Sequence, residues 1–209
     1  MSDLTFYTNP QSRGRIAHWM MEELGQPYET VWLGYGPEMK SAEYRAVNPM
    51  GKVPAVRHGA VVVTEAAAIC AYLADAFPQA GLAPAPTSPQ RAPYLRWLFF
   101  AAGPLEQAVT AKAMGWVVPE GRAAMAGFGS YADTLDALET ALRPGTYICG
   151  EQFTAADVYV GSSLSWGLMF GTIENRPVFV DYVTRLRARP ALQRAGQINE
   201  ERIKAQTAG

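Results

Sequence analysis

The chain has 209 residues, with 18 lysines and arginines against 19 acidic residues, and 49% of its residues are apolar. These values are typical of a globular protein with one large or two modest hydrophobic cores. The near-neutral charge argues against a nucleic-acid partner or a basic membrane-binding patch. The first residues lack the charged start and apolar run of a signal peptide, and no stretch approaches the roughly 18 apolar residues of a spanning helix. We expect a cytoplasmic protein without a membrane partner.

The cysteines and histidines argue against a disulfide framework and a metal site. Cys70 and Cys149 are far apart and lack CxxC spacing, so we expect two reduced, buried thiols. His18 and His58 have no neighbouring cluster of metal ligands. We therefore expect no bound metal.

The first part of the chain combines short strands and helices. Residues 4–7 form a β-prone run, and residues 28–33 form another. A helix that Gly25 ends is predicted between them, because apolar residues recur at helical spacing: Ile16, Trp19, Met20 and Leu24. A β-α-β order implies a right-handed crossover and a parallel strand pair.

The next segment predicts a short helix over 41–47 and then a hairpin. Residues 54–58 and 61–64 are its two strands, joined through Gly59. A second helical stripe of apolar residues follows: Ile69, Tyr72, Leu73, Ala76 and Phe77. The hairpin adds an antiparallel edge, so we expect a small mixed sheet flanked by helices.

A proline-rich stretch, FPQAGLAPAPTSPQRAP over 77–93, separates this part from the rest. Proline fixes φ, so the stretch is typical of a semi-rigid linker. We expect a first domain over 1–79, a linker over 80–92 and an all-helical domain over 93–209.

The patterns after the linker are long and helical. They predict four helices, over 94–116, over 131–142, from Thr154 onward and over 180–187. Gly103-Pro104 is expected to kink the first. Asp157, three residues after Thr154, makes a capping-box pattern at the start of the third, and Pro190 is expected to stop the fourth.

Polar residues crowd the first strand-to-helix junction, YTNPQSRGR over 7–15. A helix that begins near Ser12 points free N–H groups and the positive end of its dipole at whatever lies above the strand end. That position favours a phosphate, a carboxylate or a thiolate. The alternative is that Ser12 or Asn9 only caps its own helix.

A second motif, NPMGKVPAV over 48–56, precedes a predicted strand. Val53-Pro54 is a candidate cis peptide bond, because cis bonds occur before proline in tight turns. Such a turn leaves the Val53 N–H and C=O free to pair with an extended peptide as an added strand. The alternative is an ordinary turn.

A third motif, TEAAAICAYL over 64–73, places Glu65 and Ala66 where a strand passes into a helix. The Glu65 carboxylate is either a favourable charge in the first helical turn or the acceptor of a substrate's ammonium group.

These motifs together resemble the glutathione transferase family, over essentially the whole chain. NPMGKVPAV and TEAAAICAYL look like its NPxGKVPxL and ESxAIxxYL signatures at matching spacing. SRGRIAHWMMEELG looks like its first helix, and FTAADVYVG like the capping box of its second domain. The resemblance, to bacterial, cytosolic, serine-type members, implies an α/β thioredoxin-like N-terminal domain, an all-α C-terminal domain and a homodimer.

The resemblance also implies that glutathione binds as co-substrate in the first domain. Ser12 matches the thiol-activating hydroxyl of several classes, and Asn9, Tyr7 and Thr8 are alternatives. A hydroxyl donor at a helix N-terminus lowers the pKa of a thiol, and the thiolate is the nucleophile. No cysteine occupies these positions, which favours conjugation over thiol reduction.

The remaining ligand contacts follow from the same resemblance. The Val53 backbone, in the turn with Pro54, is expected to pair with the cysteinyl unit of glutathione. The γ-glutamyl end is expected to bind at Glu65 and Ala66. The glycine carboxylate is expected to meet Lys40 and Lys52. Ala66 stands where the family has serine, so one side-chain bond is missing and we expect weaker glutathione affinity.

The second substrate is expected to be a small hydrophobic electrophile bound between the domains. The candidate residues are aromatic or otherwise apolar and lie on the first helix of the second part: Trp97, Phe100, Pro104 and Trp116, with Tyr94 and Met114 as neighbours. The alternative is that this stripe belongs to the core.

Glutathione conjugation, with a role in detoxification, is thus the function that the sequence favours. One alternative is a non-catalytic, ligand-binding or dimerising member of the fold. Another is a glutathione-dependent isomerase, peroxidase or dehalogenase, because the substrate surface lies in the more variable helical half.

Overall fold

The computed structural model describes residues 3–207. They form two compact units, residues 3–80 together with 188–207, and residues 81–187. The structure thus groups the C-terminal segment with the first unit, whereas the sequence patterns grouped it with the other helices. Within the described residues, no helix is long and apolar enough to cross a membrane.

A four-stranded mixed sheet forms the centre of the first unit. Its strands are β1 (Leu4–Thr8), β2 (Glu29–Trp32), β3 (Ala55–His58) and β4 (Val61–Thr64), in the spatial order β2-β1-β3-β4. β1 and β2 are parallel, and the other two pairs are antiparallel. The predicted β-α-β unit and hairpin are both confirmed.

Helices cover this sheet, and their bounds follow local sequence signals. They are α1 (Gly14–Leu24), α2 (Pro37–Lys40), α3 (Ala42–Arg45) and α4 (Ala66–Ala76). Gly25 ends α1 in the left-handed conformation, with φ of 63°, as predicted. The short helix expected over 41–47 is confirmed as α3: Ser41 is its extended N-cap residue, and the Ser41 hydroxyl accepts the N–H of Tyr44. The preceding helix α2 was not predicted.

The two faces of the sheet have different partners, because alternate strand residues point in opposite directions. Phe6 is fully buried against α1, with its ring 5.4 Å from the His18 ring. Tyr7, the next residue, lies on the other face, with its ring 5.7 Å from Tyr44 of α3. A side chain at the end of β1 therefore meets either α1 or α3.

The second unit is helical. It contains α5 (Arg91–Phe100), a π-helical turn (Ala101–Leu105), α6 (Glu106–Ala113), α7 (Tyr131–Leu142), α8 (Ala155–Phe170) and α9 (Pro177–Arg187). The π-helical turn contains Pro104, which has no N–H for the regular helical ladder, at the predicted kink.

The capping box at the start of α8 is also confirmed. Asp157 is buried and accepts the N–H and the hydroxyl of Thr154 at 2.8 and 3.0 Å. The same carboxylate accepts the Ile148 N–H and the Tyr182 hydroxyl, each at 2.8 Å. It therefore joins the preceding turn, α8 and α9 in one network.

A further helix, α10 (Pro190–Thr207), was not predicted. The sequence predicts only a helix stop at Pro190, but Pro190 is the first residue of the new helix, where its missing N–H is tolerated. α10 packs antiparallel on α1, because Arg189 pairs with Glu23 at one end and Glu200 with Arg15 at the other. These ion pairs span more than 160 residues of sequence.

Candidate functional site

The loop between β1 and α1 is fixed by the side chain of Asn9. Its Nδ2 donates to the Leu33 carbonyl at 2.7 Å, and its Oδ1 accepts the Gln11 N–H at 2.9 Å. The Leu33 N–H in turn donates to the Thr8 carbonyl. Asn9 is buried, so it holds the loop at the carboxyl end of the parallel pair β1–β2.

Ser12 lies in this loop, two residues before α1, and is half-buried. Its hydroxyl donates to the Asn9 carbonyl at 2.8 Å and accepts the Gly14 N–H at 2.9 Å. The hydroxyl thus accepts the N–H of the first residue of α1, although the N-cap residue is Arg13 and not Ser12. The single hydroxyl proton is directed to a backbone carbonyl in this structure.

The two neighbouring candidates differ in their surroundings. Tyr7 lies on the sheet face opposite α1, where the Arg57 guanidinium is 5.9 Å from its ring. Thr8 lies on the α1 face and is fully buried, and its hydroxyl has no hydrogen-bond partner among residues 3–207. Ser12 and Thr8 therefore lie on the same side of the sheet, and Tyr7 does not.

The motif over 48–56 forms a braced loop before β3. Asn48 Nδ2 and the Tyr44 hydroxyl both donate to the Lys52 carbonyl at 2.7 Å. Burial raises the pKa of Tyr44, so its hydroxyl remains a donor. Asn48 Oδ1 also accepts the Met50 N–H. Neither Asn48 nor Tyr44 was singled out from the sequence, although Asn48 begins the quoted motif.

The Val53–Pro54 peptide bond at the end of this loop is cis, as predicted. β3 begins at Ala55, and within residues 3–207 the main chain of half-buried Val53 makes no hydrogen bond. Its N–H and C=O are therefore available to a ligand, two residues before β3 begins.

The two lysines of the predicted site have different environments. Lys40 Nζ donates to the carbonyls of Met50 and Gly51 at 3.0 and 2.7 Å, so it braces the loop. Lys52 is exposed, and no partner of its ammonium group is found in the described part of the chain. Gly51, with φ of 56°, is required here because a Cβ would lie 2.5 Å from the Met39 carbonyl.

Glu65 has the most unusual backbone of the site. Its φ of 65° and ψ of 118° make it the one non-glycine residue with positive φ among residues 3–207. It occupies the N-cap position of α4 with an exposed side chain that makes no capping hydrogen bond. Such a conformation costs about 1–3 kcal/mol and is typical of functional positions. Ala66 follows as the first, buried residue of the helix.

The residues expected to bind the second substrate lie in the second unit. Trp97 is 5% exposed and packs 5.2 Å from the Phe100 ring, so it belongs mainly to the core, the alternative considered above. Phe100 and Pro104 are half-buried, and Trp116 is 64% exposed.

The chain's own thiols do not form part of this site. Cys70 is buried and Cys149 half-buried, and neither is in a disulfide. Burial raises the pKa of each thiol to about 12. Both are therefore poor nucleophiles at neutral pH. No group of metal-ligating residues is found in residues 3–207.

Comparisons with known proteins agree with this architecture. A family model of the glutathione S-transferase N-terminal domain matches residues 13–76, and one of the C-terminal domain matches residues 106–166. Glutathione S-transferase GstA of Escherichia coli O157:H7 is 30% identical over 92% of this chain and 96% of its own length. Glutathione S-transferase A of Pleuronectes platessa is 29% identical over 80% and 79%.

Solved structures show the same fold. A glutathione transferase from Methylococcus capsulatus strain Bath has a TM-score of 0.78 at 28% identity, covering 94% of this chain and 98% of its own. A glutathione transferase homologue from Sulfitobacter, with bound glutathione, has a TM-score of 0.73 at 25% identity with the same coverage. The predicted thioredoxin-like and helical domains are confirmed. The chain belongs to the glutathione S-transferase family.

Proposed function

We propose that this transferase holds glutathione above the carboxyl end of β1 and ionises its thiol for attack on a small apolar electrophile. Three positions support the proposal: the hydroxyl of Ser12, the unpaired main chain of Val53 and the strained backbone of Glu65. All three belong to the first unit. They match three parts of the tripeptide, its thiol, its central peptide unit and its γ-glutamyl end.

The conformation of Glu65 is the single observation that carries the proposal. The γ-glutamyl end has an ammonium and a carboxylate on one carbon, so it needs an anion and a set of donors side by side. Glu65 supplies an exposed carboxylate, and the first N–H groups of α4 next to it supply the donors. A backbone cost of about 1–3 kcal/mol at this junction is explained if it holds both groups together.

Val53 and Lys52 extend the binding site along the tripeptide. The Val53 N–H and C=O pair with the cysteinyl unit as an added strand. The exposed Lys52 ammonium meets the glycine carboxylate. Lys40 remains a second candidate for that carboxylate, with one of its three donors left after its bonds to Met50 and Gly51.

Ser12 is the group that we assign to the sulfur. Its proton turns from the Asn9 carbonyl, which keeps the Ser12 N–H at 3.2 Å. A hydrogen bond to a charged group contributes about 1.5–3 kcal/mol, which lowers the pKa of the thiol from about 8.5 to about 6.5–7.5. Asn9 is less suited because its amide holds the loop, and Tyr7 because it faces α3.

The electrophile is proposed to be apolar because the segment after α6 is rich in exposed apolar side chains. Met114, Trp116, Val117 and Met125 are 62%, 64%, 86% and 77% exposed. Such side chains suit an aromatic or alkyl substrate better than a charged one. We also propose a homodimer, because the large apolar side chain of Phe99 on α5 is 73% exposed. A cytoplasmic location is proposed as well, because unpaired thiols persist in that compartment. The molar mass from light scattering tests whether the protein is a dimer in solution.

The proposed activation is tested by titrating enzyme-bound glutathione with pH and following the ultraviolet absorbance of its thiolate. We expect Ser12→Ala to raise the pKa of the bound thiol by about 1–2 and to slow conjugation of an aryl halide about 10- to 100-fold. Ser130→Ala is the matched control, because Ser130 caps α7 in the second unit with the same chemistry. It should leave both values unchanged.

Two results would contradict the proposal. If the wild-type protein does not bind glutathione in calorimetry, the site assignment is wrong. If Ser12→Ala behaves like Ser130→Ala, the site is retained but Ser12 is not the activating group.

A further inference from the structure

A fully buried hydroxyl lies next to the candidate catalytic loop. Thr8 is the last residue of β1 and is 0% exposed. Its Oγ1 neither donates nor accepts a hydrogen bond within the described chain. Buried hydroxyl groups are nearly always paired, because leaving one unpaired costs about 1–3 kcal/mol. Its position therefore needs an explanation beyond packing.

The space around Gly14 shows what this hydroxyl faces. A Cβ at Gly14 would lie 2.0 Å from Thr8 Oγ1 and 2.9 Å from Ser12 Oγ. Both hydroxyl oxygens therefore converge on one point at the first turn of α1. Because Gly14 has no side chain, the Thr8 hydroxyl can occupy the space that a Cβ would fill, on the side that Ser12 Oγ also borders.

We propose that Thr8 is a positioning residue for Ser12, an inference that rests on the function proposed above. When the Ser12 proton turns from the Asn9 carbonyl to the sulfur of glutathione, the Thr8 hydroxyl donates to Ser12 Oγ. No proton changes its oxygen, and only the hydrogen bonds are exchanged. Thr8 touches neither sulfur nor electrophile.

The hydrogen-bonding capacity of Ser12 agrees with this exchange. A serine hydroxyl has one proton and accepts two hydrogen bonds. One acceptor position already receives the Gly14 N–H at 2.9 Å. The other is available to Thr8, which has a proton and no partner among residues 3–207. After the exchange, both hydroxyl groups are satisfied.

The expected effect on the thiol is modest but measurable. A hydrogen bond accepted by a hydroxyl polarises it and strengthens the bond it donates by about 10–30%. Loss of this support is expected to raise the pKa of the bound thiol by about 0.5, which is about a threefold smaller thiolate fraction below that pKa.

Thr8→Val is expected to weaken ionisation of the thiol but to stabilise the fold. Thr8→Val replaces an unpaired buried hydroxyl with a methyl group of nearly the same size. That substitution should raise the melting temperature by a few degrees, because the unpaired group is removed. A residue with only a packing role would show this stabilisation without any change at the sulfur.

The test uses a double-mutant cycle on the full chain, with pH titration of bound glutathione as the readout. We expect Thr8→Val to raise the thiol pKa by about 0.5, Thr8→Ser to restore it, and Thr8→Val to add nothing in the Ser12→Ala background. Affinity for S-methylglutathione, which has no thiol to ionise, should stay unchanged. Thr8→Ala gives the same reading should the valine variant fold poorly.

An unchanged thiol pKa in both Thr8→Val and Thr8→Ala would overturn the inference. An equal effect of Thr8→Val with and without Ser12 would overturn it as well, because Thr8 would then act independently. A wild-type protein that does not lower the pKa of bound glutathione would contradict the proposed function itself. That result is seen before any Thr8 variant is made.

Discussion

Glu65 offers a way to separate backbone strain from ligand binding. Its φ of 65° is a conformation that glycine adopts freely and other residues adopt at a cost. Glu65→Gly and Glu65→Ala both remove the carboxylate, but only the glycine variant removes the Cβ that causes the strain. The difference between these two variants therefore reports the backbone, and what they share reports the side chain.

The expected magnitudes follow from the structure. Positive φ at a non-glycine residue costs about 1–3 kcal/mol, and glycine adds about 0.4–1 kcal/mol of unfolded-chain entropy against that gain. We expect Glu65→Gly to be about 1 kcal/mol more stable than Glu65→Ala. The carboxylate is exposed, so its contact with an ammonium group contributes about 1 kcal/mol, or about fivefold in Kd.

Urea unfolding followed by circular dichroism measures the first quantity, and calorimetry with glutathione measures the second. Glu65→Gln is the control, because it keeps the Cβ and the shape of the side chain but removes the charge. It should unfold at the urea concentration of the wild type and bind glutathione as weakly as the other two variants.

Two outcomes would refute the reasoning. A glycine variant that is less stable than the alanine variant would show that Glu65 is not strained. Wild-type glutathione affinity in all three variants would show that the carboxylate does not contact the ligand, and the central observation for the proposed function would be lost.

Two further predictions concern stability. Asp157→Ala should lower the free energy of unfolding by about 3 kcal/mol or more, because loss of the buried carboxylate leaves several donors unpaired. Asp133→Ala, at the exposed start of α7, should lower it by about 1 kcal/mol or less. Equal losses in urea unfolding would contradict this prediction. Burial lowers the pKa of His18, so below about pH 6.5 the unfolded chain binds a proton that the folded chain does not, and the free energy of unfolding should decrease as the pH is lowered. A His18→Gln variant should show a weaker dependence on pH. A wild-type free energy of unfolding that increases on acidification would exclude this cause.

Local signals in the sequence predicted much of the fold. The left-handed Gly25, the capping box at Thr154 and the turn at Val53–Pro54 each depend on residues within a few positions of one another. Their geometry is therefore set by short spacings that can be read directly. The short helix expected over 41–47 is found at Ala42–Arg45 for the same kind of reason, because the Ser41 hydroxyl caps its first turn.

Long-range contacts account for what the sequence patterns missed. α10 begins at Pro190, a residue that locally favours a stop, and it packs on α1 through partners such as Arg189 and Glu23. Nothing within a short window of residues indicates such a pairing. The membership of α10 in the first unit thus depends on the tertiary structure alone.

The sequence by itself determined the family, the order of the four strands and of most helices, and the set of candidate site residues, because motif spacing and periodicity are local properties. The tertiary structure decided what each of those side chains is free to do. An ammonium group has three protons, so Lys40, bonded to Met50 and Gly51, has less capacity left for a ligand than Lys52. A hydroxyl has one proton, so Ser12 can donate to a ligand only by giving up its bond to the Asn9 carbonyl. Those assignments depend on which groups the folded chain brings within hydrogen-bonding distance.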